Sequence, residues 1–188
     1  VTQIRLCTVI AILGVLAIAV PSFAQSDAYG KPDACQVVLK ETAKPNHWAV
    51  EINFTNDEAV FGLIFPLIIS SSKGELSYDS TSFAGSRVDS FAVKIPYEDT
   101  SWTAKEASLR INLGMIGSIS PSPIELHPGS GLIARHYISG AKDVTTESIS
   151  VDTTFIGPSN RLLATMYDPD KGSIKPTFTF ERAGGTKK

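Results

Sequence analysis

The chain has 188 residues, with 17 Lys and Arg against 19 Asp and Glu, a formal net charge of -2. That balance supplies no basic field to neutralise phosphates, which argues against nucleic-acid binding as its main task. A hydrophobic share of 43% with 19% charged residues excludes a disordered chain, and two cysteines are too few for a disulfide scaffold or a four-cysteine zinc site.

Residues 1–24 read as an export signal. Arg5 gives a short positive start, and Leu6 to Val20 is apolar or small apart from Thr8. Pro21 breaks the run, and Ser22-Phe23-Ala24 puts small residues at the -3 and -1 positions of a cleavage site. The apolar run is shorter than the roughly 17–25 residues that cross a bilayer. Cleavage after Ala24 would leave a secreted or periplasmic protein with no membrane span. It would also remove Cys7, leaving Cys35 as the lone cysteine. Beside Val37 and Leu39 that thiol is expected as a small core residue, the other reading being an intermolecular bridge. Residues 25–33, with Gly30 and Pro32, form a short tether. Residues 34–180 form one domain, and 181–188 a polar tail.

Beyond the tether the apolar residues recur with a period of two. Cys35 to Lys40 is a first candidate strand. In the next, Trp48, Val50, Ile52 and Phe54 alternate with Ala49, Glu51, Asn53 and Thr55, which turns one face inward. Val60 to Ile69 is almost wholly apolar, as in a strand covered on both faces. Pro66 interrupts it, and proline cannot donate to a ladder, so a bulge or an edge is expected there. Further strands are expected at Phe91/Val93/Ile95, Leu109/Ile111/Leu113, Leu132/Ala134/His136/Ile138, Ile149/Val151/Thr153, Arg161 to Tyr167 and Phe178/Phe180. Thr103 to Leu109 alone has helical composition. About nine short strands with turns between them make an all-β, antiparallel β-sandwich of jelly-roll or immunoglobulin-like type.

The order of these segments resembles the cohesin family. Ala49 to Asp57 followed by Val60 to Leu67 is similar to a cohesin's opening strand, polar turn and Gly-aromatic strand. Ser77-Tyr78-Asp79-Ser80 is similar to the Tyr-Asp turn that follows, and Pro128 to Ala134 to the family's Gly-Ser-Gly turn and next strand. The resemblance implies a nine-stranded jelly roll, related to carbohydrate-binding modules. It implies a non-catalytic module that binds an extracellular protein partner of dockerin type through a sheet face or edge. Two alternatives stay open: a module for extracellular polysaccharide, and a structural subunit of an envelope assembly.

Few residues offer chemistry. His47, His127 and His136 share no metal-ligand spacing. Gly129-Ser130-Gly131 precedes a strand directly, so it reads as backbone needing positive φ rather than a nucleophile elbow. Asp168-Pro169-Asp170-Lys171-Gly172 places two carboxylates two residues apart but lacks the distal glutamate of a calcium loop. The expectation there is at most weak calcium binding at Asp168 and Asp170, with no other cofactor. Among the aromatics, Trp48 belongs to an inward set. Tyr78, Tyr97 and Trp102 lie in turn-like or irregular segments and are the candidates for a ligand platform on one face. No two acids are ordered as catalytic partners.

Overall fold

The computed structural model describes residues 29–118, 124–154 and 161–183. The expected export signal, the start of the tether and the end of the tail lie outside these. Eleven strands run in chain order: β1 (Ala34–Glu41), β2 (His47–Asn56), β3 (Val60–Ser71), β4 (Leu76–Ser82), β5 (Val93–Glu98), β6 (Ser108–Ile116), β7 (Gly129–Gly140), β8 (Ile149–Thr153), β9 (Leu163–Met166), β10 (Ser173–Ile174) and β11 (Thr177–Arg182). A short helix, α1 (Thr100–Glu106), joins β5 to β6.

The strands make two sheets, in the orders β11-β1-β2-β7-β4 and β10-β9-β3-β6-β5, with β8 also paired to β3. Their inner faces interdigitate. Val37, Leu39, Val50, Ile52 and Phe54 from one sheet, and Phe65, Leu67, Ile69, Leu109, Ile111 and Leu113 from the other, are all 0% exposed. The Phe54 and Phe65 rings meet edge to face with centroids 5.8 Å apart, a favoured quadrupole geometry. Cys35 is buried in this core, and burial pushes its thiol pKa up to about 12. Trp48 is also core, its indole Nε1–H donating to Thr146 Oγ1 at 3.0 Å.

The sandwich departs from the expected architecture at five points. The pairing is antiparallel except for β1 and β11, which run parallel over six residue pairs. β4 and β10 raise the strand number from nine to eleven. β4 covers the Ser77-Tyr78-Asp79-Ser80 segment read as a turn. Its inward residues include Tyr78 and Thr81, and a bulge between Tyr78 and Ser80 shifts the phase of the alternation.

Pro66 sits neither at a sheet edge nor on a bulge, but in the central strand β3, opposite Asn112. Its carbonyl accepts from Thr154 N, on the side where β8 ends at Thr153 and β9 begins at Leu163. The missing N–H therefore falls between two partner strands, where no ladder acceptor waits among the described residues. The helix starts and ends before the expected Thr103–Leu109. Asp99 Oδ1 accepts from Trp102 N at 3.2 Å as its N-cap, and Ala107, with φ of 50°, ends it.

The fifth departure is β5. Phe91 is buried, but in the turn before the strand. Val93, Ile95 and Tyr97 pair with Ile116, Gly114 and Asn112 on the outside of the sheet. The inward positions are Lys94, Pro96 and Glu98, and Lys94 Nζ donates to the Val88 and Asp89 carbonyls. Proline and an inward lysine are devices that keep an edge strand from pairing further.

The loop leading into β5 is fixed by Arg87. Its guanidinium donates to the carbonyls of Phe54 (2.9 Å), Gly129 (3.0 Å) and His127 (2.6 Å) and to Asn56 Oδ1 (2.9 Å). Gly129 and Gly131 have φ of 151° and 150°, and a Cβ on either would come within 3.3 Å of the Arg87 side chain. The glycines thus make room for the arginine as well as supplying the backbone angle. Arg87→Met leaves four acceptors to find other donors and is expected to cost about 2–4 kcal/mol in denaturant unfolding. Arg87→Lys should recover less than half, because an ammonium cannot fork to four acceptors. A wild-type midpoint for Arg87→Met would refute the clamp.

Candidate functional site

The outer face of the six-stranded sheet is apolar. Register places Val93, Ile95 and Tyr97 of β5 beside Ile116, Gly114 and Asn112 of β6, and these beside Gly62, Ile64 and Pro66 of β3. Ile95 is 59% exposed, Tyr97 55% and Ile116 38%. Between them lies a hollow of about 340 Å³ walled by Phe61, Ile64, Val93, Ile95, Ile116 and Thr165. Gly114 also lines it, and a Cβ built there would have no atom within 4 Å. A second hollow of about 440 Å³ shares Phe61 and Thr165 and continues to Met166, Tyr167 and Pro169. Contiguous exposed apolar surface of this kind marks an interaction site.

The outer face of the five-stranded sheet is different. Gln36, Lys40, Glu51, Asn53, Thr55, Arg135 and Ser139 occupy it, with Val38, Ala49, Leu132 and Tyr137 among them. Lys40 Nζ lies 2.7 Å from Glu51 Oε2, and Arg135 Nε donates to Glu51 Oε1 at 2.9 Å. Burial alone would raise the Glu51 pKa; the hydrogen bonds from Lys40 and Arg135 reverse that and hold it below its usual value.

The three candidate platform aromatics do not meet. Tyr78 is half-buried on the inner side of β4, its hydroxyl 2.7 Å from Thr81 Oγ1 and its ring edge-on to His136. Tyr97 stands on the outer face of the other sheet. Trp102, on α1, is covered by the Arg110 guanidinium at 4.2 Å and donates through Nε1 to Ser108 Oγ. Arg110 is two residues from the Tyr97 partner Asn112, so Tyr97 and Trp102 share one end of the same sheet while Tyr78 belongs to the opposite one. Sequence reasoning missed Ile95, Gly114 and Ile116. The available signals were the edge proline within Val93-Lys94-Ile95-Pro96-Tyr97 and a lone glycine in the alternating strand Leu109 to Ile116.

Asp168 and Asp170 are both exposed, and Asp168 Oδ1 accepts from Asp170 N at 3.0 Å, as in an Asx turn. Lys171 beside them pairs with Glu58. Among the described residues no three potential metal ligands come together. His47 donates from Nδ1 to the Pro45 carbonyl (2.8 Å), and the exposed His127 lies 3.0 Å from Glu125. His136 is wholly buried. Its Nδ1 is 2.6 Å from Thr81 Oγ1, Nε2 has no partner among the described residues, and desolvation lowers its pKa from 6.5 to about 4.

No protein-family model and no curated protein matches the sequence. Solved structures do match the fold. The sixth cohesin of scaffoldin B from Acetivibrio cellulolyticus, solved in complex with a dockerin, aligns at 9% identity and a TM-score of 0.56, covering 80% of this chain and 96% of its own. The seventh ScaB type I cohesin from Pseudobacteroides cellulosolvens aligns at 14% identity and 0.53, covering 82% and 95%. A type I cohesin–dockerin complex from Clostridium thermocellum gives 12% and 0.50, covering 79% and 99%. At these identities the likeness is one of fold: the chain has the cohesin-type β-sandwich.

Two measurements follow from these side chains. With two carboxylates in a plain turn, millimolar calcium is expected to move Tm by less than about 2 °C; a larger rise would establish a site. For His136 the folded state keeps the ring neutral while the unfolded chain takes a proton below pH 6.5. Stability is therefore full above that pH and falls by about 1.4 kcal/mol per unit down to about pH 4. Subtracting the pH profile of His136→Leu from that of the wild type isolates this slope, and parallel profiles would remove it.

Proposed function

We propose that this chain is a protein-binding module, and that its partner docks on the outer face of the six-stranded sheet by contact alone, with no chemical step. The apolar hollow around Gly114, flanked by Ile95, Tyr97 and Ile116, carries the reading. Lys94, Pro96 and Glu98 hold the core side of β5, so its apolar residues remain in water until something covers them. Covering Ile95 and Tyr97 contributes roughly 1–2 kcal/mol for each, given that about half of each is exposed. A standard interface buries about 800 Å² per partner, so the footprint extends from the hollow onto its surroundings. Tyr167 and Pro169 on one side and the Arg110–Trp102 stack on the other are the nearest such ground.

The cohesins from Acetivibrio cellulolyticus and Clostridium thermocellum that share this fold were solved as dockerin complexes. That supports a dockerin-type module as the first partner class to try. The signal-like residues 1–24 support an encounter outside the cytoplasm.

Gly114→Val gives the cleanest test. The added side chain meets no atom within 4 Å of its Cβ, and valine suits a strand better than glycine. Tm should hold or rise while the hollow fills. In calorimetric titration against a panel of dockerin modules, at least one is expected to bind wild type, and Gly114→Val to weaken it by about tenfold or more. Undiminished binding by Gly114→Val would move the interface elsewhere; no binding by any dockerin would remove that partner class.

A further inference from the structure

We propose that β11 is a self-pairing edge. Two copies of this chain join antiparallel along Thr177–Glu181, with Thr179 facing its own counterpart on a two-fold axis, and the two five-stranded sheets become one of ten strands. The backbone groups for this are already turned outward. Thr177 N donates to the Asp33 carbonyl and Ala183 N to the Leu39 carbonyl, and the register between them is unbroken. In a parallel ladder that phase commits Thr177, Thr179 and Glu181 to β1 and points the N–H and carbonyl of Phe178 and Phe180 away from it. No described strand lies beyond them.

Four other strands among the described residues leave an edge open, and each carries a device that discourages pairing. β5 has Pro96 and the inward Lys94. β4 is broken by its bulge, with Asp79 held by the Ser139 hydroxyl. β10 is two residues long. On β8 the Ile149 carbonyl is taken by Arg182 Nη2 at 2.6 Å. β11 is unbulged and has neither proline nor lysine, and its first four residues are uncharged.

The side chains of β11 point to the occupant. Phe178 and Phe180 pack against the core but stay half-buried, whereas their β1 neighbours Cys35 and Val37 are 0% exposed. The core is therefore open along this edge. An extended segment with apolar residues at alternate positions, in the same phase, closes it, and β11 of a second copy is such a segment. With Thr179 on the axis, Phe178 faces Phe180 of the other copy, twice by symmetry, and these two rungs exchange four backbone hydrogen bonds. Thr177 faces Glu181, so no like charges are opposed. A register centred on Phe180 would instead set Phe178 against Arg182, whose guanidinium is already held by the Thr146 and Ile149 carbonyls.

This contact is separate from the apolar face of the other sheet and stands independently of the protein partner. So short an edge buries less than the roughly 800 Å² per partner of a standard interface. A weak dimer is expected, its mass in sedimentation equilibrium rising from monomer toward dimer between about 10 μM and 1 mM. Thr179 is exposed, so Thr179→Lys should keep Tm while placing two ammonium groups on the axis, and should weaken the dimer by about fivefold or more. In a Cys7→Ser background, Thr179→Cys should cross-link into a dimer under mild oxidation, because facing residues at a rung without hydrogen bonds have Cα atoms about 4.5 Å apart. Glu181→Cys should not, and the buried Cys35 does not compete. Gly114→Val should leave the dimer intact. A monomer at every concentration would overturn the proposal. So would a dimer that is undiminished by Thr179→Lys, is weakened by Gly114→Val, or cross-links as readily through Glu181→Cys.

Discussion

Contact between the two inner sheet faces, with Phe54 against Phe65 at the centre, is the constraint on which the rest of the molecule depends. It claims every second residue of β2, β3 and β6 and removes those side chains from any other task. Interaction with other molecules is left to the outward positions. Those positions are not equivalent on the two sheets. One presents isoleucine, tyrosine and glycine, and the other presents a carboxylate shared by two cations among amides and hydroxyls.

Holding the apolar face in shape depends on groups that never reach it. The Arg87 fork ties the loop before β5 to the ends of β2 and β7, and Lys94 ties β5 back to the same loop. Asp99 caps the helix after β5, and Arg110 of β6 lies 3.6 Å from that carboxylate while stacking on Trp102. An edge strand whose inward side is polar gains little from the core, so its position rests on these links at both ends. The residues that expose Ile95 and Tyr97 are therefore as much a part of the site as the exposed side chains.

Much of the sandwich is legible from alternation alone. Val50, Ile52 and Phe54, or Leu109, Ile111 and Leu113, can satisfy period two only by facing a core, and all six are fully buried. The same rule misleads at β5, because Val93, Ile95 and Tyr97 alternate just as cleanly while facing water. Periodicity shows that a strand has two unlike sides, not which side the other sheet will cover. β4 is not legible by alternation because its inward residues include a tyrosine and a threonine instead of aliphatics, with a bulge between them. Pro66 defeats strand reasoning because that reasoning assumes a neighbour at every rung, and β3 changes partner just there. Arg87 could not be found at all: its four acceptors come from segments up to 42 residues away, a proximity that only the closed fold creates.

The parallel pairing of β1 with β11 sets where the polypeptide enters and leaves. Chain approaching β1 passes the β2–β3 turn, where Lys31 N binds Asp57. Chain leaving β11 departs at the opposite pole, beside Leu39, where Arg182 holds the Thr146 and Ile149 carbonyls. Tension applied across the module would run lengthwise through that pair and load its rungs in shear, so they would yield together instead of unzipping in turn.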